Sequence, residues 1–242
     1  QIANPNIRFV CVGDDWQAIN GFAGSDTVYM KKEVFNRKFP EAAHVNLCEN
    51  FRSANIIVET GNDIMANLGM PAKSTVKEEG QVWRILMPNF KTQKERYDNL
   101  PALYFQQIER IAGEYPVGTS FTILRRTNNF FAIKPEEFVR EVTKRMKEKN
   151  QENVRVSTIH KFKGDQADVV ILVDVTEKMH PLIHPERTRH FVLGLNDEKV
   201  HREERNLFYV GLTRAKKALW IISEEGRESP YVKEIRWQEP EQ

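Results

Sequence analysis

VSTIHKFKGDQADVVIL (residues 156–172) alternates branched apolar and small polar side chains, breaks at a glycine within a charged turn, and resumes as an aliphatic run. Such a stretch reads as strand, turn, strand, the second strand apolar enough to be buried on both faces. Outward from it the same grammar repeats. Runs rich in β-branched residues at 7–12, 43–47, 82–87, 120–124, 154–159, 169–173 and 218–222 alternate with helical patterns at 27–39, 54–68, 91–112, 135–149 and 202–212. Strands separated by helix-length crossovers predict an α/β fold, a mostly parallel sheet with helices on both faces. In the helix over 54–68, Ile57, Gly61, Ile64, Met65 and Leu68 fall on one face, with Ser53 as the expected cap. Pro135 sits where a first-turn proline is tolerated. Residues 176–195, with Pro181 and Pro185 and no sustained period, read as a long surface excursion.

Composition narrows the function. The chain has 242 residues, is 40% hydrophobic and carries a formal net charge of +2 from 36 basic and 34 acidic residues. That is enough apolar content for a real core, and too balanced for a generally basic nucleic-acid binder, so any such contact must come from a local patch. The two cysteines, Cys11 and Cys48, lie in apolar runs and are expected as buried, reduced thiols. No aliphatic run is long enough to span a bilayer, and no signal segment opens the chain, which points to a cytoplasmic location without membrane contact. A chain that starts without methionine and enters a strand-like run almost at once is expected to be part of a longer protein.

Two short stretches each place an arginine at a helix boundary: Asn50-Phe51-Arg52-Ser53, and Leu212-Thr213-Arg214-Ala215 within EERNLFYVGLTRAK (residues 203–216). Taken singly, Arg214 reads equally as a complement to a helix dipole, and Arg52 as a surface ion-pair partner. VGDDWQAI (residues 12–19) adds two acids after a strand-like run. Its plain reading is a turn, with Trp16 and Phe22 as core aromatics.

In this order the motifs resemble those of UvrD/Rep-type superfamily 1 DNA helicases, over most of the chain from about Val12 to Ser223. The resemblance implies a RecA-like second motor domain over 44–242, preceded by a short remnant of a first RecA-like domain over 1–43. It makes Arg52 and Arg214 arginine fingers, Gln17 the γ-phosphate sensor, and Phe51 the ring that stacks on adenine. Gly164 and Gln166 would lie against the nucleotide, where relatives carry a glutamate in place of Gln166. Phe22, Thr158, His160, Lys161 and Arg126 would contact DNA, with Thr158 and His160 on one side of a strand by the period-two rule. Asn20 and Ala23 stand where tyrosine and arginine are common.

No glycine in the chain is followed by lysine, so the loop that cradles ATP phosphates is not in this sequence. ATP and Mg2+ are therefore expected as ligands of the full-length protein, with single-stranded or partly duplex DNA and the missing N-terminal motor domain as partners. Too few residues separate Arg126 from Val154 for the large insertion many relatives carry. The competing reading is a degenerate, non-catalytic helicase-like module that binds nucleic acid or protein. Two apparent metal sites fail. Asp174 ends a Walker-B-like strand without a second acid. His180 and His184 are four apart, but Pro181 and Pro185 preclude the helix a zinc pair needs.

Overall fold

A computed structural model describes residues 8–21, 26–185 and 196–237. Its centre is a five-stranded sheet whose strands are β3 (Gln81–Met87), β4 (Phe121–Arg125), β5 (Val154–Thr158), β6 (Ala167–Leu172) and β7 (Ala215–Glu224), in the order β3-β7-β6-β4-β5. Every neighbouring pair is parallel. A separate two-stranded ladder joins β1 (Glu49–Asn50) to β2 (Lys73–Ser74).

The alternation of side chains along the strands sorts the core into two layers. Val170 and Leu172 of β6 and Leu219 and Ile221 of β7 face α2 (Asn55–Ile64), α5 (Asp197–Leu212) and α6 (Pro230–Glu234). Val169 and Ile171 of β6 and Trp220 and Ile222 of β7 face α3 (Gln93–Gly113) and α4 (Pro135–Glu148). Both faces are covered, which is why these two strands read as continuous apolar runs. A short helix, α1 (Lys32–Lys38), lies in the amino-terminal stretch.

Parallel strands give the sheet two unlike rims. The residues that lead into β6 and β7, Gln166 and Arg214, sit on the amino rim. The residues that follow β4 and β5, including Arg126 and His160, sit on the carboxyl rim. Helix α5 runs back from the carboxyl rim to the amino rim, and its last ten residues alone cover about 15 Å at ~1.5 Å per residue.

Several expectations need correction. The runs at 7–12 and 43–47 form no strand among the described residues, because no neighbouring strand offers a ladder to either. Val10, at 89% exposure, Val12, Val45 and Leu47 therefore stand in solvent. Cys11 is exposed for the same reason, and Cys48 is only partly buried. Ser53 does not cap α2; its hydroxyl donates to the Ala215 carbonyl at 2.7 Å, and Ala54 takes the cap position. The excursion after β6 is not wholly superficial, since Thr176 and His180 are buried. Residues 186–195 lie outside the described residues. No described helix is long and apolar enough to cross a membrane.

Candidate functional site

The two arginines meet at one residue. In the loop after β1 the Asn50 side-chain oxygen accepts the backbone amides of Arg52 and Ser53, both at 2.9 Å, a local Asx turn that fixes where the Arg52 side chain starts. The Arg52 guanidinium then donates to the carbonyl of Thr213 at 3.3 Å. Arg214 Nη2 donates to the hydroxyl of the same Thr213 at 3.3 Å. The loop is pinned there by Ser53 on Ala215 and by the Ala54 amide on the Lys216 carbonyl at 2.9 Å.

Arg214 is 1% exposed. Its Nε donates to the Val210 carbonyl at 2.9 Å, and its Nη1 reaches the Asp165 carbonyl at 3.5 Å. No described carboxylate forms an ion pair with it. Burial first, and then repulsion from Arg52, push its pKa down to about 10, while Tyr209 and Asp14 oppose the shift. A buried guanidinium held by carbonyls and crowded by a second cation is a site short of negative charge. Phe51, next to Arg52, is 77% exposed.

The Asp14–Gln17 turn joins this cluster. Asp14 caps a 3-10 turn, Asp15–Gln17, by accepting the Trp16 amide at 3.0 Å, and its carboxylate also takes the Gln17 side-chain amide. Trp16 is a core aromatic, as its plain reading had it: 6% exposed, edge-on to Tyr209 with ring centroids 5.3 Å apart, its indole N–H on the Leu68 carbonyl. One stripe of α5 seats the whole segment. Arg202 pairs with Asp15 at 3.6 Å, and Glu203 accepts the Gly21 amide at 2.9 Å. Asn206, 2% exposed, donates to the carbonyls of Asp15 and Ala18 at 2.9 and 3.0 Å. From the other side, Lys163 Nζ donates to the Gln17 carbonyl at 2.8 Å. Phe22 and Ala23 lie outside the described residues.

Lys163 belongs to the turn that separates β5 from β6. Gly164 within it has φ +98°, a left-handed conformation that a side chain would strain, and the space a Cβ would take is open. Gln166 is exposed on the amino rim. On the carboxyl rim the period-two expectation fails: β5 stops at Thr158, and the chain curls so that Thr158 Oγ1 accepts the Lys161 amide at 3.4 Å. His160 therefore lies in the turn and not on the strand. It is half-buried, and burial, helped by the positive charge of Arg126 and opposed by Glu204, lowers its pKa, so the ring is neutral at neutral pH. Lys161 is exposed. Arg126 forms a two-pronged ion pair with Glu204 of α5, whose carboxylate also accepts the Leu182 amide at 2.9 Å. Its neighbour Arg125 is buried over the Phe138 ring at 4.3 Å.

The structure thus groups Arg52, Arg214, Gln17 and the Lys163–Gln166 turn toward the amino rim, and Thr158, His160, Lys161 and Arg126 at the carboxyl rim. Sequence reasoning missed the connecting stripe of Glu203, Asn206, Tyr209 and Thr213. Its spacing of three or four residues on one helix face was the available signal. Among the described residues no group of three or more His, Cys, Asp or Glu side chains could hold a metal ion.

The chain is similar in part to known helicases. Residues 133–226 match the UvrD-like helicase C-terminal domain. The chain is 26% identical to DNA helicase IV of Escherichia coli (strain K12), over 96% of this chain and 32% of that protein. It thus spans about a third of the length of that relative. Among solved structures, it is similar to the C-terminal domain of a possible DNA helicase from Lactobacillus plantarum WCFS1, at 16% identity with a TM-score of 0.43, covering 77% of this chain and 94% of that one.

Proposed function

We propose that this chain is the distal part of an ATP-dependent DNA helicase or translocase. On this reading residues 44–242 form the second RecA-like motor domain, and residues 1–43 are the end of a first one. The observation that carries it is the meeting of Arg52 and Arg214 at Thr213, beside the turn that holds Gln17. Hydrolysis of ATP needs positive charge brought to the γ-phosphate as charge redistributes, and arginines offered by a second surface supply it.

Nucleotide would be held mainly by the upstream lobe, with Phe51 against the adenine and the Gly164–Gln166 turn beside the ribose. Bound with Mg2+, ATP supplies the phosphoanhydride bond that is cleaved. The described acids of this chain do not suit a resident Mg2+. The chain's own part is to close Arg52 and Arg214 onto the phosphate. In that closed state Gln17, held by Asp14 and Lys163 in a turn whose Asp15 and Ala18 carbonyls Asn206 grips, would report the phosphate to α5. Helix α5 carries Glu204 and, through it, Arg126 at the rim where Thr158, His160 and Lys161 would grip a single strand. Closure follows ATP only through its greater affinity for the closed state.

The apolar side chains stranded at Val10 and Val12 fit the same reading, since they would complete the sheet of the upstream lobe. The full-length protein should hydrolyse ATP in a manner stimulated by single-stranded DNA, and the isolated chain should not sustain turnover. A full-length protein whose hydrolysis ignores single-stranded DNA would refute this.

A second reading, a non-catalytic module that grips nucleic acid or protein, is favoured by the near-complete burial of Arg214 and by Gln166 in place of an acid. Binding of single-stranded DNA by the full-length protein without any nucleotide turnover would select it.

A further inference from the structure

We infer that Glu204 holds the place of a DNA phosphate on Arg126, so that the single strand and this carboxylate compete for one guanidinium, with the nucleotide state deciding between them through α5. The inference rests on the single-stranded DNA reading above and names how that same contact is regulated.

The guanidinium is occupied in this structure. Arg126 follows β4 at the carboxyl rim; its Nε donates to Glu204 Oε2 at 3.2 Å, and its Nη2 donates to Glu204 Oε1. Two parallel N–H donors on two oxygens is also how a guanidinium takes a phosphate, so the carboxylate and a strand phosphate exclude each other. Nη1 remains, with no partner among the described residues. The pair is not sealed in the core: its side chains are 14% and 10% exposed, on the rim that carries Thr158, His160 and Lys161. An incoming strand meets Nη1 first and gains the other two donors by displacing Glu204.

Displacement does not orphan the carboxylate. Glu204 Oε2 also accepts the Leu182 amide at 2.9 Å. The segment carrying that amide is fixed without Arg126: the His180 amide donates to the Thr176 carbonyl at 2.8 Å, and the Ser229 hydroxyl donates to the His180 carbonyl. The His180 ring lies against Phe208, one turn after Glu204 on α5, with centroids 5.2 Å apart. The other two-pronged pair at this rim is built differently. Arg96 grips Glu224, whose side chain is 2% exposed, and a second acid, Asp174, stands 4.0 Å from the same guanidinium. That pair is enclosed on all sides, and Arg126–Glu204 is not.

Helix α5 ties the competition to the nucleotide side. Glu203, the adjacent residue, accepts the Gly21 amide at 2.9 Å, and Asn206 grips the Asp15 and Ala18 carbonyls. Neighbouring residues on a helix point about 100° apart. One turn of α5 therefore holds the Gln17 segment on one side and Arg126 on the other, and a rigid shift that follows Gln17 carries Glu204 with it.

The test is the salt dependence of single-stranded DNA binding by the full-length protein, with and without a non-hydrolysable ATP analogue. Wild type is compared with Glu204→Gln and Arg126→Gln/Glu204→Gln. Each phosphate contact on a single strand contributes about −0.7 to the slope of log K against log salt. In the wild type the analogue should steepen the slope by about 0.7 and raise affinity about tenfold. Glu204→Gln keeps the shape and an acceptor for Leu182 but not the charge. It should show the steep slope without nucleotide, and the analogue should then change it little. The double variant should stay shallow in both states, which assigns the effect to Arg126. A wild type that binds DNA with one slope in both states overturns the inference, however the variants fold. So does Glu204→Gln with the wild-type melting temperature and the shallow nucleotide-free slope; the DNA reading survives either result. A wild type that binds no single strand in either state overturns the DNA reading, and this inference with it.

Discussion

Arg214 shows how a single residue can be expensive to fold and still be kept. Its guanidinium is almost fully enclosed, with carbonyl and hydroxyl partners and no paired carboxylate among the described residues, and burial lowers its pKa to about 10. Ordinary packing would have supplied an acid or an apolar side chain. Phe51 makes the opposite statement: at 77% exposure it contributes little to the core. Phe51→Ala should leave the melting temperature unchanged and raise the KM for ATP about tenfold in the full-length protein, since aromatic–base stacking is worth roughly 1–3 kcal/mol. An unchanged KM would remove Phe51 from the nucleotide site. Both residues stand out in their motifs. The enclosure of Arg214 does not, because a motif records which side chain is present and not how the surrounding loops close over it.

At the scale of elements, α5 is the part that joins the two rims. It receives the Asp14–Gly21 segment along one stripe, and Trp16 is the anchor of that contact. Trp16→Ala removes a buried ring, an edge-to-face contact and a hydrogen bond to Leu68, and should cost about 3–5 kcal/mol of unfolding free energy. A denaturant titration giving less than about 1 kcal/mol would mean the segment is not docked on α5 in solution. A second element-level prediction concerns the end of β6. Burial, and then the Glu224 carboxylate, push Asp174 up to about 7 against the pull of Arg96. A folded value above the unfolded one means that protonation favours the fold. The stability so gained is full below the ordinary carboxylate range and is lost as pH rises through about 7. Asp174→Asn keeps a neutral side chain and tolerates the left-handed φ of 58° there. Its melting temperature should gain on the wild type steadily between about pH 4 and pH 8. A difference that does not change with pH would contradict the assignment.

Strand and helix positions in the sheet were readable because both faces are covered, so β6 and β7 show uninterrupted apolar runs. The period-two extrapolation to His160 failed because a hydroxyl, Thr158 Oγ1, turns the chain at the strand's end. Such a side-chain bond leaves no mark in hydrophobic periodicity.

At the scale of the whole molecule, the runs at 7–12 and 43–47 read as strands, yet residues 8–12 and 43–47 stand exposed. Periodicity reports what a segment is suited to pack against, not whether the partner is at hand. The same logic orders the proposed function: an amino rim with paired arginines short of negative charge, a carboxyl rim with cations and a histidine, and a helix between them. Its centre is that Arg52 and Arg214 answer one phosphate.

The most direct test is a double-mutant cycle on DNA-stimulated ATP hydrolysis in the full-length protein, with Arg52→Ala, Arg214→Ala and the pair. Each single substitution should lower kcat by about 10³-fold or more, with nucleotide binding largely retained, and the double should fall little further, as for groups acting as one unit. Single variants that keep kcat within a few-fold of the wild type would contradict the account.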